Sequence, residues 1–295
     1  MEDAKIPERK VFPSRKTSFP IFSQDVGDSW LQLLNLALRI GSDRQTPAGP
    51  AAEALNTMVT IGLPVIAEDL ETAVTPPEDF PAFLEFDRDE FERSYAAVRA
   101  PAFDRLQREL ETSGMAVLGA DELRKLDVAG ELASVSFHVV DGSLYGSFVL
   151  CRVDLYRDWP LAALSLVRVQ RELAAELGLE AGAATFLVHA VQLLASDWER
   201  AQGLLDRWFE RPLPLQVDHS GVFLFGNDGG RARGMLLDHA AADIFWEDAF
   251  DDAQQLSWYI VDAMPWLLPQ HIRYVGQECA SLMHAMRAKE CYLQG

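Results

Sequence analysis

The dipeptide Asp141-Gly142 constrains this chain more than any other pair of residues, because it separates two alternating, β-rich runs, Ser134–Val140 and Leu144–Leu150. A two-residue type I′ loop needs positive φ at both central positions, which Asp and Gly adopt at low cost, and its twist matches that of antiparallel strands. The spacing predicts a hairpin with strands over those two ranges. Downstream, Pro160 suits the first turn of a helix, where its missing N–H would be unsatisfied anyway. Leu161, Leu164, Val167, Leu173 and Leu177 keep helical spacing until Gly178 ends it. That helix is expected to cover one face of the sheet.

The order around this hairpin resembles the thymidylate synthase and pyrimidine-nucleotide hydroxymethylase family. Its members carry strand, tight turn, strand, an Arg-Ser-x-Asp motif, a Pro and a long core helix. Gly178-Leu-Glu-Ala-Gly182 is similar to the family's helix-ending Gly-Leu-x-x-Gly, followed by a strand over Ala184–Leu194 and the segment Asp197–Leu205. Trp30–Ile40 with Gly41-Ser-Asp-Arg44 resembles its first helix and phosphate-loop arginine. His271–Glu278 through Tyr292-Leu-Gln resembles its closing helix. The resemblance implies an α/β (α+β) thymidylate-synthase-like fold, a large mixed or antiparallel sheet covered by long helices, with one sheet face used for dimerisation.

Several positions depart from the family. Counting back without gaps from Asp141-Gly142 places the family's nucleophilic cysteine on Glu131, and Cys151, Cys279 and Cys291 lie elsewhere. A carboxylate is a poor nucleophile for attack on a pyrimidine C6. The phosphate pair Arg-Ser falls on Cys151-Arg152, which a one-residue slip would return to Arg152. The substrate-reading Asn falls on Ala162 and the His-x-Tyr on Gln192-x-Leu194. The cross-subunit arginine pair maps near Gly114-Met115. Several charge-assisted donors, each contributing about 1.5–3 kcal/mol, are therefore missing from a phosphate site.

What the resemblance retains lies on the folate side. Asp154 aligns with the acidic residue that binds the pterin, Trp159-Pro160 follows at the family spacing, and Arg44 keeps the phosphate-loop position. The implied activity is methyl or hydroxymethyl transfer from methylenetetrahydrofolate to a pyrimidine nucleotide, nucleoside or other small acceptor. Glu131 would then act as general base, with a pKa raised by burial. The catalytic candidates are Glu131 and Asp154, the substrate contacts Arg44, Arg152 and Gln192, and the cofactor contacts Asp154 and Trp159. The alternative is a non-catalytic member that binds ligand or scaffolds an active subunit. Homodimers are expected from the resemblance, or a heterodimer with an intact relative.

Read without the resemblance, the same residues have plainer roles. Glu131 reads as a loop carboxylate, Asp154 as a cap or turn residue, Arg44 as a solvated arginine, Arg152 as half of an ion pair, and Gln192 as part of an internal network. His189 reads as core and His271 as surface or interface. Trp208, Trp258 and Trp266 could line a ring-binding pocket, but packing in a core or dimer is the preferred reading.

Composition narrows the class. With 295 residues, 49% of them hydrophobic, the chain can bury one large core. One domain is expected over 23–295, after a flexible segment 1–22. A net charge of −19 opposes association with nucleic acid or anionic lipid, and the basic residues within Lys5–Lys16 are too few and mixed for a nucleic-acid arm. No apolar run spans a bilayer and no signal peptide is evident, so a cytoplasmic location is expected. Three scattered cysteines without histidines at ligand spacing predict no metal site.

The remaining elements follow from pattern. Helices are expected near Trp30–Ile40, Asp89–Leu110 with a break at Pro101, Trp198–Phe209 and Pro269–Lys289. Strands are expected near Leu55–Leu63, Leu213–Val217, Val222–Phe225 and Gly234–Leu237, with a turn at Asn227–Gly230. The acid-rich stretches Glu68–Glu92 and Glu247–Asp252 read as solvated surface.

Overall fold

The computed structural model describes residues 17–23, 25–62, 92–93, 95–96, 103–119, 123, 131–209, 221–238 and 241–294. The chain divides into two compact units, Met1–Leu213 and Pro214–Gly295. Each has its own apolar core, and both lie largely within the range 23–295 expected as a single domain. The expected break at Pro101, the strand over 213–217 and most of the acidic stretch 68–92 lie outside the described residues.

The first unit is a mixed sheet in the order β1-β3-β7-β6-β5-β4, with β2 also pairing with β3. The strands are β1 (Phe19–Ser23), β2 (Ser42–Thr46), β3 (Gly49–Ile61), β4 (Met115–Leu118), β5 (Leu132–Val140), β6 (Ser143–Asp154) and β7 (Glu180–Leu194). Its helices are α1 (Val26–Ile40), α2 (Phe103–Ser113), α3 (Asp158–Glu176) and α4 (Trp198–Trp208). The predicted hairpin is β5–β6, with φ of 48° at Asp141 and 80° at Gly142. β6 and β7 run parallel, joined by α3, and β1 and β3 run parallel. The start expected to be flexible thus contributes an edge strand from Phe19. Pro20 is tolerated there because an edge strand need not donate from every residue.

Helix α3 ends as its sequence requires. Leu179 N–H bonds to Ala174 O at 2.9 Å and Gly178 N–H to Ala175 O at 3.2 Å, closing a Schellman motif. One face of the sheet packs through Phe137, Phe148, Phe186 and Val188 into the core shared with α1, α3 and α4. The other face carries the cross-strand row Thr60–Thr185–Ser147–Ser136–Val117 and, beside it, Met58–Leu187–Val149. Neither row contains a charged residue.

Near one end the sheet is creased. Buried positions alternate along β6 to Leu150, along β7 to Val188 and along β3 back to Thr57, and these three residues are register partners. The next buried residues are Val153, Val191 and Ala54, each three positions away and again partnered. All three strands therefore change their buried face at the same place, where Asn56 has φ 50°. His189, expected in the core, lies in this crease and is exposed.

The second unit is an antiparallel sheet in the order β10-β9-β8, with β8 (Val222–Asp228), β9 (Arg231–Leu237) and β10 (Ile244–Phe250). Two helices accompany it, α5 (Ala253–Ala263) and α6 (Pro269–Ala288). Phe223, Phe225, Leu256, Ile260, Val275, Cys279 and Leu282 form the core. Asp252, in the stretch read as solvated surface, caps α5 by accepting from Gln254 N and Gln255 N at 2.9 and 2.8 Å. Along α6, Val275, Cys279 and Leu282 are buried and Ile272 is exposed. Among the described residues, no helix is long and apolar enough to cross a membrane.

Candidate functional site

The crease gathers most of the residues singled out in the first unit. Beyond it, Glu53, Gln192 and Asp154 are register partners across β3, β7 and β6. The neighbouring row holds Leu55, Ala190 and Arg152, and Glu131 N–H bonds to Arg152 O at 3.1 Å. Alternation within each strand puts Glu53, Gln192, Asp154 and Arg152 on one face.

Their partners show what the arrangement can do. Arg44 Nε donates to Glu53 Oε1 at 2.9 Å, and Gln192 Nε2 donates to Glu53 Oε2 at 2.6 Å. Glu53 thus engages two of the three expected substrate contacts. It was not singled out from the sequence, although a lone carboxylate inside Ala51-Ala52-Glu53-Ala54 is a signal that a partner must exist. Arg152 Nη2 donates to Glu131 Oε1 in an ion pair. The Glu131 side chain is 56% exposed.

Asp154 serves as a turn residue. Its Oδ1 accepts from Tyr156 N at 2.9 Å and Arg157 N at 3.0 Å, leading the chain into α3. Burial pushes this carboxyl up to about 6, the backbone bond from Arg157 opposes the rise, and Asp158 and Asp197 add to it. Asp197 is only 2% exposed; Ser196 Oγ donates to it at 3.2 Å and Arg157 Nη2 lies 3.8 Å away. Trp159 has no exposed surface. Its Nε1 donates to Ser29 Oγ at 3.2 Å and its ring meets Phe186 at 5.2 Å, so the expected cofactor contact is a core residue.

The second unit holds a different polar arrangement. β8 is an edge strand, and its outer backbone groups at Phe223 and Phe225 are met by one side chain from the segment after α6. Phe225 N donates to Gln294 Oε1 at 2.8 Å. Gln294 Nε2 donates to Phe223 O at 2.6 Å and to Tyr274 Oη at 2.6 Å. The orientation of the carboxamide is dictated, since a backbone N–H needs the oxygen and a carbonyl needs the nitrogen. Tyr292 Oη donates to Glu278 Oε2 at 2.5 Å, holding the same segment. Below the strand, the Phe223 and Phe225 rings stack at 5.8 Å, and His271 meets Phe223 edge-on at 5.3 Å.

Two tryptophans read as packing residues stand out of the core: Trp258 is 61% exposed and Trp266 57%. Tyr259 stacks on Trp246 at 5.6 Å. Of the three thiols, Cys279 is buried, and burial followed by the charge of Glu278 pushes it up to about 12. Cys151 and Cys291 are exposed. Among the described residues, no group of three His, Cys, Asp or Glu side chains is placed to hold a metal ion.

A family model described as PterinBD-DUF4346, a pterin-binding-like domain, matches residues 217–295. The match lies within the second compact unit. It overturns the resemblance to thymidylate synthase and the hydroxymethylases, since the family found is a different one and matches none of the hairpin region on which that resemblance rested. No curated protein matches the chain.

Proposed function

We propose that this protein binds a pterin or folate through its C-terminal unit, acting as a ligand-binding protein. The observation that carries this reading is the agreement in extent between the pterin-binding-like match, residues 217–295, and the unit with its own core, Pro214–Gly295. A unit with an independent core can support a rigid recognition surface, which binding sites require. Non-covalent binding accords with the thiols. Cys279, the one cysteine in that core, holds its proton at neutral pH because burial raises it to about 12, and a thiol is a poor nucleophile compared with a thiolate. One-carbon transfer with Glu131 as base gains no support from an exposed carboxylate paired with Arg152.

The test is calorimetric titration of the full chain with 6-hydroxymethylpterin and with methylenetetrahydrofolate. Saturable one-to-one binding is expected, unchanged by Asp154→Ala in the first unit. Absence of saturable heat with both compounds would overturn the reading. Loss of binding in Asp154→Ala, in a protein still folded, would move the site out of the C-terminal unit.

A further inference from the structure

The outer edge of β8 offers a specific hydrogen-bonding code. It presents a donor, the Phe225 N–H, and an acceptor, the Phe223 carbonyl, and α6 adds a second acceptor, Tyr274 Oη. The Gln294 carboxamide answers with one acceptor and two donors. A 2-amino-4-oxopyrimidine ring, common to pterins and guanine, carries that sequence along one edge: the 4-oxo oxygen accepts, the adjacent ring N–H donates, and the 2-amino group donates. The oxo and ring N–H form a cis amide, so their separation is set by the same C=O and C–N bonds as in a carboxamide.

We infer that the β8 edge is the site that reads a 2-amino-4-oxopyrimidine, and that Gln294 is its intramolecular stand-in. This rests on the pterin-binding reading above and names the site within it. In the ligand's presence the 4-oxo group accepts from Phe225 N, the ring N–H donates to Phe223 O, and the 2-amino group donates to Tyr274 Oη. The two backbone bonds carry over in the exchange, so neither backbone group is left unsatisfied when Gln294 leaves; the 2-amino group stands one ring carbon beyond the Gln294 nitrogen, and Tyr274 Oη has to shift outward to accept from it. Gln294 competes as a tethered group, and tethering gives such a competitor a high effective concentration. Its removal therefore tightens ligand binding without adding a contact. The two ring sources are separated by what lies beyond the pyrimidine: the pyrazine ring of a pterin or the imidazole of guanine.

The experiment compares wild type, Gln294→Ala and Tyr274→Phe by titration with 6-hydroxymethylpterin, guanosine, lumazine and 2,4-diaminopteridine. Lumazine lacks the 2-amino donor, and the diamino compound replaces the 4-oxo acceptor with a donor facing Phe225 N–H. Pterin is expected to bind Gln294→Ala about tenfold more tightly than wild type and Tyr274→Phe several-fold more weakly. Lumazine and 2,4-diaminopteridine are expected to bind every form at least about tenfold more weakly than pterin. The amide resonance of Phe225 reports the site directly and shows that each variant is folded; it should move on pterin addition. If pterin binds wild type but Gln294→Ala is no tighter, if the diamino compound binds equally, or if Phe225 is unmoved, the edge is not the site while the pterin-binding reading stands. Preference for guanosine would keep the edge as the site and overturn the pterin assignment. Absence of binding by all four compounds to all three proteins would overturn both.

Discussion

The two units treat polar side chains in opposite ways. In the first, the groups that looked like a ligand site are satisfied by other fixed parts of the fold: Glu53 takes Arg44 and Gln192, Arg152 takes Glu131, and Asp154 takes two backbone amides of the turn into α3. In the second, two backbone groups at a strand edge and the hydroxyl of Tyr274 on α6 meet one side chain from a segment outside the sheet and helices. Conspicuous polar residues therefore mark structure in one unit, while an inconspicuous glutamine marks the candidate site in the other. What separates the two cases is where the partner sits: in or beside a paired strand in the first unit, in the segment that follows the last helix in the second.

That contrast can be broken or sharpened by substitution, beginning with the scaffold that holds the β8 edge. A Cβ on Gly221, which has φ +105°, would lie 2.1 Å from Leu237 O. Gly221→Ala is expected to destabilise β8–β9 pairing by more than about 3 kcal/mol, read from hydrogen exchange of the β8 amides. A loss under about 1 kcal/mol would show that the edge strand shifts freely. In the first unit, Gln170 Nε2 donates to Leu144 O and Gly182 O at 2.8 Å each. Gln170→Leu leaves both carbonyls without that donor, at an expected cost of about 2–3 kcal/mol in denaturant unfolding.

Asp154 gives a smaller, pH-dependent effect. Its carboxyl is raised from 3.8 to about 6, so the folded protein holds this proton more tightly than the unfolded chain does. The resulting stabilisation is complete below pH 3.8 and is lost as pH rises through 6. Asp154→Asn keeps an oxygen for the Tyr156 and Arg157 amides and removes the titration. It should raise stability by about 1–2 kcal/mol above pH 6 and leave it unchanged below about pH 4. A uniform loss at every pH would instead show that the carboxamide does not replace the carboxyl as acceptor for the turn amides. The smallest effect belongs to Arg152 and Glu131, whose side chains are 47% and 56% exposed. A double-mutant cycle should give a coupling of about 0.2–1 kcal/mol. A larger value would mean that the pair is more sheltered than its exposure indicates.

Much of the first unit was legible because local chemistry and fold agree. Asp141-Gly142 demands the turn it makes, and the apolar spacing after Pro160 meets a helix of nearly the predicted length. β1 was missed because Phe19-Pro-Ile-Phe is short and contains a proline, features that hide an edge strand. β10 and α5 were missed because Glu247–Asp252 carries its acids on exposed strand positions and at a helix cap. The crease was illegible, since it arises from three strands shifting together and no single strand records it. The misassigned family has a physical cause too: a hairpin followed by a parallel crossover through a covering helix is a general way to build a sheet. Its order alone identifies no chemistry. The β8 edge could not be read in advance, because backbone groups have no letter in the sequence.

Gln170 ties the timing of the first unit's assembly to one amide. The β5–β6 hairpin closes locally, whereas β6 and β7 are parallel and can meet only after the whole crossover is in place, which is entropically slow. Gln170 sits on that crossover helix and bridges the strands at Leu144 and Gly182, beside the irregular register between Leu144 and Gly146. The fit is close enough to require glycine on the strand: a Cβ at Gly146 would lie 2.6 Å from Gln170 Oε1 and 2.8 Å from the Phe148 ring. Because that bridge needs the crossover closed, the contact of β6 with β7 beside the turn is expected to lock after the hairpin itself.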